Sequence, residues 1–174
     1  QAWSAINTGT ANLEGLAKQA GALAEAFSTL PGTIELVDPA PVTAIDASGR
    51  EYRKPHGQHL VLRVRPQANR RILLTGHMDT VFPADHPFQS QQWLDGDTLN
   101  GPGVADMKGG IAVMLHALKA AEQSGSIGAL GYDVMINSDE ETGSLASAAL
   151  IADLAQGKFA ALTYEPAALP DGTL

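Results

Sequence analysis

One histidine and several acidic residues follow three apolar segments of the chain, each close to the point where the segment ends. These residues are His77, Asp79, Glu140, Glu141 and Glu165. A further carboxylate, Asp106, lies in a glycine-rich stretch between the first two segments. Carboxylates a few ångströms apart raise one another's pKa, so a cluster of ionised carboxylates is unfavourable in free energy unless a cation neutralises its charge. Because Lys108 is the only basic residue close to these motifs, divalent metal ions are the better neutraliser.

Imidazole and carboxylate ligands suit zinc and, to a lesser degree, cobalt or manganese. Asp79 stands two residues after His77, and a ligating imidazole usually donates its other N–H to a carboxylate. Taken alone, residues 139–141 are typical of a solvated loop or of a helix N-terminus, where acidic side chains are favourable. The recurrence of such residues after three successive segments is what predicts a metal site. Four other histidines are not predicted to be ligands: His56, His59, His86 and His116.

The composition excludes several classes of protein. The chain has 11 Lys and Arg against 19 Asp and Glu, a formal net charge of −8 that does not suit nucleic acid as the main partner. Of its 174 residues, 44% are hydrophobic and 17% charged, which is typical of one globular domain. There is no cysteine, so a metal site must use His, Asp and Glu. No apolar run approaches the ~18 residues of a membrane helix, and no membrane partner is predicted.

Hydrophobic periodicity predicts the elements that position these residues. Helices are predicted at 12–30, 107–123 and 144–155, and strands at 34–37, 42–45, 59–65, 72–75, 132–137 and 159–164. The alternation of strand and helix after residue 71 predicts an α/β fold with a mainly parallel mixed sheet flanked by helices. The strands at 59–65 and 72–75 are expected to form an antiparallel hairpin. Open α/β sheets bind ligands at the carboxyl ends of their strands, so the residues named above should meet at one rim.

Four blocks of the sequence resemble the signature blocks of a family of co-catalytic zinc peptidases. They are Gly76-His77-Met78-Asp79-Thr80-Val81, residues 101–110, residues 138–144 and Tyr164-Glu165-Pro166. The family includes glutamate carboxypeptidase, acetylornithine deacetylase, succinyl-diaminopimelate desuccinylase and aminoacylase. The first and last blocks are most similar to the glutamate carboxypeptidase branch. The resemblance implies a zinc exopeptidase-like catalytic domain.

The resemblance also implies a set of metal ligands for two zinc ions. These are His77, Asp106, Glu141 and Glu165. His77 and Glu165 would bind one zinc, Glu141 would bind the other, and Asp106 would bridge both. The site would be incomplete within this chain, because the family's last zinc ligand is a histidine that would fall beyond residue 174.

Two catalytic residues and one backbone feature follow from the same resemblance. Asp79 would orient His77. Glu140 would be the general base that deprotonates a water held between the metals and later protonates the leaving amine. The peptide bond between Asp106 and Met107 is expected to be cis.

The implied activity is zinc-dependent hydrolysis of an amide bond in a peptide or N-acyl amino acid, of a carboxypeptidase-like kind. One alternative is an N-acyl amino acid deacylase of the acetylornithine or succinyl-diaminopimelate type. An alternative of another class is a non-catalytic binding protein that keeps the fold. Residues 1–174 would form the N-terminal part of the catalytic domain, with a lid domain and a C-terminal catalytic segment outside it. A homodimer through that lid domain is expected, and the sequence indicates no compartment.

Overall fold

A five-stranded sheet lies at the centre of the structure, a computed structural model that describes residues 1–167. The strands are β1 Thr33–Val37, β2 Val42–Ile45, β3 Glu51–Lys54, β4 His59–Val64, β5 Arg70–His77, β6 Gln92–Trp93, β7 Leu99–Asn100, β8 Leu130–Asn137 and β9 Ala160–Thr163. The α-helices are α1 Leu13–Phe27, α2 Gly110–Ser124 and α3 Ala148–Ala155. Short 3₁₀ turns lie at Trp3–Ala5 and Glu140–Thr142, and an irregular helical segment at Val104–Gly109. Each predicted element is present, with shifts at its ends.

The central sheet has the strand order β1-β4-β8-β5-β9. β8 pairs with β5 and β5 pairs with β9 in parallel, whereas β4 is antiparallel to both of its neighbours, β1 and β8. Four of the five strands therefore run in one direction. The predicted α/β fold with a mainly parallel mixed sheet is confirmed.

The prediction that the strands at 59–65 and 72–75 pair as an antiparallel hairpin is wrong. β8 lies between β4 and β5 and pairs with both, through Leu62 with Val134 and Leu74 with Val134. β8 is buried along nearly its whole length, and a strand that is apolar on both faces belongs in the middle of a sheet. The side chain of Arg65 holds this arrangement, because its Nε donates to the main-chain oxygen of Leu130 at 2.7 Å.

The two faces of the sheet bury different side chains. On one face α1 and α2 pack over alternate residues of β8, namely Tyr132, Val134 and Ile136. On the other face Met135 packs with residues of β4, β5 and α3. Helices therefore flank both sides of the sheet, and α1 and α2 cover the larger core. No helix within residues 1–167 is long and apolar enough to span a membrane.

Two helices begin later than the periodicity predicts. α2 starts at Gly110 because Asp106 and Met107 have non-helical backbone angles. α3 starts at Ala148 because Gly143 and Ser144 adopt positive φ values of 92° and 56°. In both places the sequence before the helix forms a loop at the carboxyl edge of the sheet. These loops contain the acidic residues of interest.

Three short strands lie in segments predicted to be loops. β3 pairs with β2, and β6 pairs with β7. β3 has the sequence Glu-Tyr-Arg-Lys and is largely exposed, so it lacks the alternation of apolar and polar residues that indicates a strand. Strands of two residues, such as β6 and β7, are too short to have a period.

The stability of the fold is expected to depend on the larger core. Leu62 on β4 is fully buried, whereas Leu94 is 59% exposed in a loop. Leu62→Ala should lower the free energy of unfolding by about 2–5 kcal/mol through the lost transfer free energy and the cavity left behind. Leu94→Ala is the matched control and should change it by less than ~0.5 kcal/mol. Urea unfolding followed by circular dichroism measures both, and equal effects of the two changes would contradict this account of the core.

Candidate metal centre

The ends of three neighbouring strands bring the predicted site residues together. In the parallel pairs His77 lies opposite Asn137, and Thr75 lies opposite Thr163. The segments that follow β8 and β9 therefore leave the sheet beside His77, the last residue of β5. Glu140 and Glu141 come from the first of these segments and Glu165 from the second.

The side chains of all four predicted metal ligands converge around His77. The Nε2 atom of His77 lies 2.9 Å from Oδ1 of Asp106 and 3.6 Å from Oε1 of Glu165. His77, Asp106 and Glu141 each offer a ligand atom, and these three atoms lie within 4.8 Å of one another. None of the other four histidines belongs to a comparable group within residues 1–167. Glu140 lies at the rim of this cluster, its Oε2 3.9 Å from His77 Nε2.

Asp79 is fully buried beneath the cluster and contacts three residues of the site. Its main-chain oxygen and its Oδ1 lie 3.1 Å and 3.3 Å from Nδ1 of His77. The main-chain N–H groups of Glu140 and Glu141 donate to its two carboxylate oxygens, each at 3.2 Å. One carboxylate thus holds both the imidazole ring and the loop that carries two acidic residues.

Sequence reasoning missed the role of Thr10. Its hydroxyl donates to Oδ2 of Asp79 at 2.7 Å, and so completes the set of donors to that carboxylate. Thr10 lies just before α1, whose N-cap is Asn12, the side chain of which accepts the N–H of Gly15. No local pattern links Thr10 to Asp79, because the contact joins residues 69 positions apart.

Asp139 is a second buried carboxylate to which no separate role was assigned. It is fully buried, and its Oδ2 accepts the N–H of Ala146 at 2.7 Å. The N–H of Ser144 donates to its main-chain oxygen at 2.9 Å. These bonds close the loop between β8 and α3, so that the neighbouring Glu140 and Glu141 are held at the rim.

Two glycines permit close approach of the backbone around the cluster. A Cβ on Gly76 would lie 2.9 Å from Cε of Met107, whose sulfur accepts the N–H of His77 at 3.1 Å. A Cβ on Gly110 would collide with the main-chain oxygen of Tyr164, the residue before Glu165. The peptide bond between Asp106 and Met107 is cis, which confirms the expectation from the sequence.

Lys108 does not neutralise the carboxylates although it is close to them in sequence. The side chain is buried, and its Nζ donates to the main-chain oxygens of Trp3 and Ile6 at 3.1 Å and 2.9 Å. Burial lowers the pKa of Lys108 to about 8. Within the part of the chain that the structure describes, no lysine or arginine forms an ion pair with the carboxylates of the cluster.

The electrostatics of the cluster favour a cation. Burial raises the pKa of Glu141 to about 7, and the charge of Asp106 raises it as well, against the opposing effect of His77. Burial also raises the pKa of Glu165. Burial by itself lowers the pKa of His77, but the hydrogen bond and charge of Asp79, with the charges of Glu165 and Asp106, outweigh it and raise the pKa to about 9. Without a metal ion, protons bind to the same nitrogen and oxygen atoms of His77, Glu141 and Glu165 that would bind a divalent ion.

The donor set fits a zinc ion. It combines one imidazole nitrogen with carboxylate oxygens, and a buried carboxylate supports the imidazole from behind, as is usual for metal-bound histidine. The fold and the site together define an α/β domain with a candidate metal centre at the carboxyl edge of its sheet.

Comparison with known proteins identifies the family. The sequence pattern of Peptidase family M20/M25/M40 matches residues 73–173, more than half of the chain. This match includes all four predicted metal ligands. The chain belongs to this family, which is metal-dependent.

Individual relatives agree with this assignment. Carboxypeptidase G2 from Pseudomonas sp. (strain RS-16) is 34% identical over 173 residues, which cover 97% of this chain and 38% of that protein. A putative succinyl-diaminopimelate desuccinylase from Mycobacterium tuberculosis is 39% identical over 88 residues, or 50% of this chain and 24% of that protein. An M20 family metallo-carboxypeptidase from Sulfolobus solfataricus has the same fold, with a TM-score of 0.73 at 19% identity over 98% of this chain and 37% of that one.

The contacts of Asp79 generate a prediction about metal affinity. Asp79→Asn keeps the size of the side chain but removes the charge that supports the Nδ1–H of a neutral, metal-bound His77, so zinc affinity should fall roughly 10–100-fold. Asp97→Asn, in the exposed loop between β6 and β7, is the control and should leave it unchanged. Competition with a fluorescent zinc chelator measures both. An unchanged affinity in Asp79→Asn would show that this carboxylate does not support the site.

The raised pKa values predict that zinc uptake releases protons. Below pH 7 both His77 and Glu141 hold a proton, since their pKa values are about 9 and about 7. Zinc must displace these protons, so its affinity should weaken as pH falls from 9 to 6, by roughly tenfold per pH unit for each displaced proton. Calorimetry in two buffers of different ionisation enthalpy counts the protons. Glu141→Gln should reduce the number released at pH 6 by one, and equal release in both proteins would contradict the assignment.

Proposed function

We propose that this chain forms the N-terminal part of the catalytic domain of a zinc-dependent hydrolase. Its substrate is a peptide or N-acyl amino acid, whose amide bond it cleaves in a carboxypeptidase-like reaction. The observation that carries this proposal is the position of Glu140. This carboxylate lies beside the three-residue ligand group without belonging to it, 3.9 Å from His77 Nε2. The similarity to carboxypeptidase G2 along 97% of the chain supports the same class of substrate.

Four residues of the cluster would hold the metal ions. We assign His77 and Glu165 to one zinc, Glu141 to the other, and Asp106 to both. When bound, the zinc pair supplies Lewis acidity that activates a water and polarises the scissile carbonyl. We also propose that a histidine outside residues 1–174 completes the ligand set, and that the protein is a homodimer formed through a lid domain.

Glu140 acts as the general base in this proposal. Its side chain is about half exposed at the rim, with a relative accessibility of 48%, while its main-chain N–H is held by Asp79. The backbone is therefore fixed and the carboxylate is free to reach a water above the cluster. It takes a proton from that water and delivers it to the amine that leaves, a role worth roughly 10²–10⁴-fold in rate.

Glu141 differs from Glu140 in its surroundings, which supports a different role. Glu141 offers an oxygen to the group of ligand atoms formed with His77 and Asp106. Its main-chain N–H donates to the other oxygen of Asp79. The main-chain N–H groups of Glu140 and Glu141 both donate to Asp79, but in this proposal the two carboxylates have different roles, general base and metal ligand.

A second candidate function is an N-acyl amino acid deacylase. The observation that favours it is the 39% identity over 88 residues to a putative succinyl-diaminopimelate desuccinylase. A third possibility, a binding protein that keeps the fold without catalysis, is disfavoured by the presence of both Glu140 and the ligand group. The decisive experiment compares hydrolysis of C-terminal glutamyl peptides with that of N-acetylornithine, N-succinyl-diaminopimelate and N-acyl amino acids. It uses the full-length protein with added zinc or cobalt, and no turnover of any of them would refute the enzyme proposal.

The neighbouring glutamates provide a matched pair of variants. Glu140→Gln keeps shape and hydrogen bonding but cannot accept a proton, so turnover should fall roughly 10²–10⁴-fold with two zincs retained. Glu141→Gln removes an anionic ligand, so zinc content should fall first and activity should follow it. Elemental analysis beside steady-state kinetics separates the two effects.

Excess zinc serves as the control for this pair. It should partly restore Glu141→Gln and should not restore Glu140→Gln, because only the first defect is one of metal affinity. Loss of metal from Glu140→Gln, with both ions kept in Glu141→Gln, would mean that the two roles are reversed.

A further inference from the structure

A cleft separate from the metal cluster lies between the β2–β3 hairpin and the segment that precedes it. It has a volume of about 460 Å³. Three prolines form apolar walls: Pro39, Pro41 and Pro55. Three side chains that carry N–H donors also line it: Arg53, Lys54 and His56. None of these residues belongs to the metal cluster.

The charge of the cleft is positive and not compensated. Neither Arg53 nor Lys54 forms an ion pair within residues 1–167. Among the described residues, none that lines the cleft is acidic. Asp38 is the nearest carboxylate in sequence, and it accepts a hydrogen bond from Gln58 at 2.8 Å. In a chain of net charge −8, two unpaired cations in one cleft form a distinct local environment for an anion.

His56 gives an independent indication that a ligand belongs here. The residue is 9% exposed, and both of its ring nitrogens are buried without a hydrogen-bond partner among the described residues. Buried polar atoms are normally hydrogen-bonded, so the imidazole lacks a partner that the chain itself does not provide. His59 nearby differs in one of its ring nitrogens: its Nδ1 accepts the N–H of Ser138 at 3.3 Å, whereas its Nε2 is buried without a partner among the described residues.

We propose that this cleft binds a small organic anion, a carboxylate or phosphate carried on an apolar group. The oxyanion accepts hydrogen bonds from His56, Arg53 and Lys54, which together satisfy the orphan imidazole and the unpaired charges. The apolar group packs against the prolines. Because proline has a fixed φ, these walls are preformed and lose little conformational entropy when the ligand binds.

The test follows the ring ¹H–¹⁵N resonances of His56 during titration with phenyl phosphate, benzoate and inorganic phosphate. Phenyl phosphate or benzoate should shift the His56 resonances at millimolar concentration or below, and should bind more tightly than inorganic phosphate. The two organic probes distinguish a phosphate head from a carboxylate head. If inorganic phosphate bound as tightly as phenyl phosphate, the prolines would not contribute to binding and that part of the proposal would be wrong. If none of the three probes shifted the His56 resonances, the cleft would not be an anion site.

Charge-matched variants keep the test independent of folding. Arg53 is exposed and Lys54 is partly exposed, so the double variant Arg53→Ala with Lys54→Ala should fold and should weaken binding at least tenfold. The control is Lys18→Ala with Arg70→Ala, which removes the same charge from exposed positions elsewhere and should bind as the unchanged protein does. If the control pair weakened binding as much as the double variant at Arg53 and Lys54, the loss would come from the change in net charge alone, and the proposal would be wrong.

Discussion

The buried carboxylate of Asp79 is the constraint on which the candidate site depends. It has no exposure to solvent, and a buried charge is costly unless hydrogen bonds and an opposite charge satisfy it. His77, Thr10 and the N–H groups of Glu140 and Glu141 meet this requirement. The same contacts fix the ring of His77 and the loop after β8. The contacts that make burial of the Asp79 carboxylate tolerable are therefore the same contacts that position the residues of the rim.

The crowding of carboxylates above Asp79 explains why the rim suits a divalent ion. Burial and mutual repulsion raise the pKa of Glu141 and Glu165, and the anionic surroundings raise that of His77 despite its burial. The one lysine nearby in sequence, Lys108, instead donates to main-chain oxygens of the N-terminal segment. The site therefore combines a surplus of negative charge with rigid backbone support. Membership of Peptidase family M20/M25/M40 agrees with this electrostatic argument.

Much of the fold could be predicted because its strands and helices have a clear hydrophobic period. β4 and α1 show this well, and the alternation of strand and helix indicates a parallel sheet. The errors lie where the period is absent or where long-range pairing decides. β3 is polar on both faces and was missed. The expected hairpin of β4 with β5 failed because β8, with apolar residues on both faces, takes the central position between them.

The sequence by itself determined that His77, Glu141 and Glu165 meet at the rim, because each follows an apolar strand and the carboxyl ends of neighbouring parallel strands meet at one edge. His77, Glu141 and Glu165 were located in this way and Asp106 by its glycine-rich stretch, whereas the resemblance to the peptidase family supplied the expectation that they bind metal. The structure brings the four side chains together. Only the tertiary structure decided which groups satisfy Asp79, and that the ring nitrogens of His56 have no partner among residues 1–167. Such contacts join residues far apart in the chain, as Thr10 and Asp79 are. They depend on packing in three dimensions, which leaves no periodic signal along the sequence.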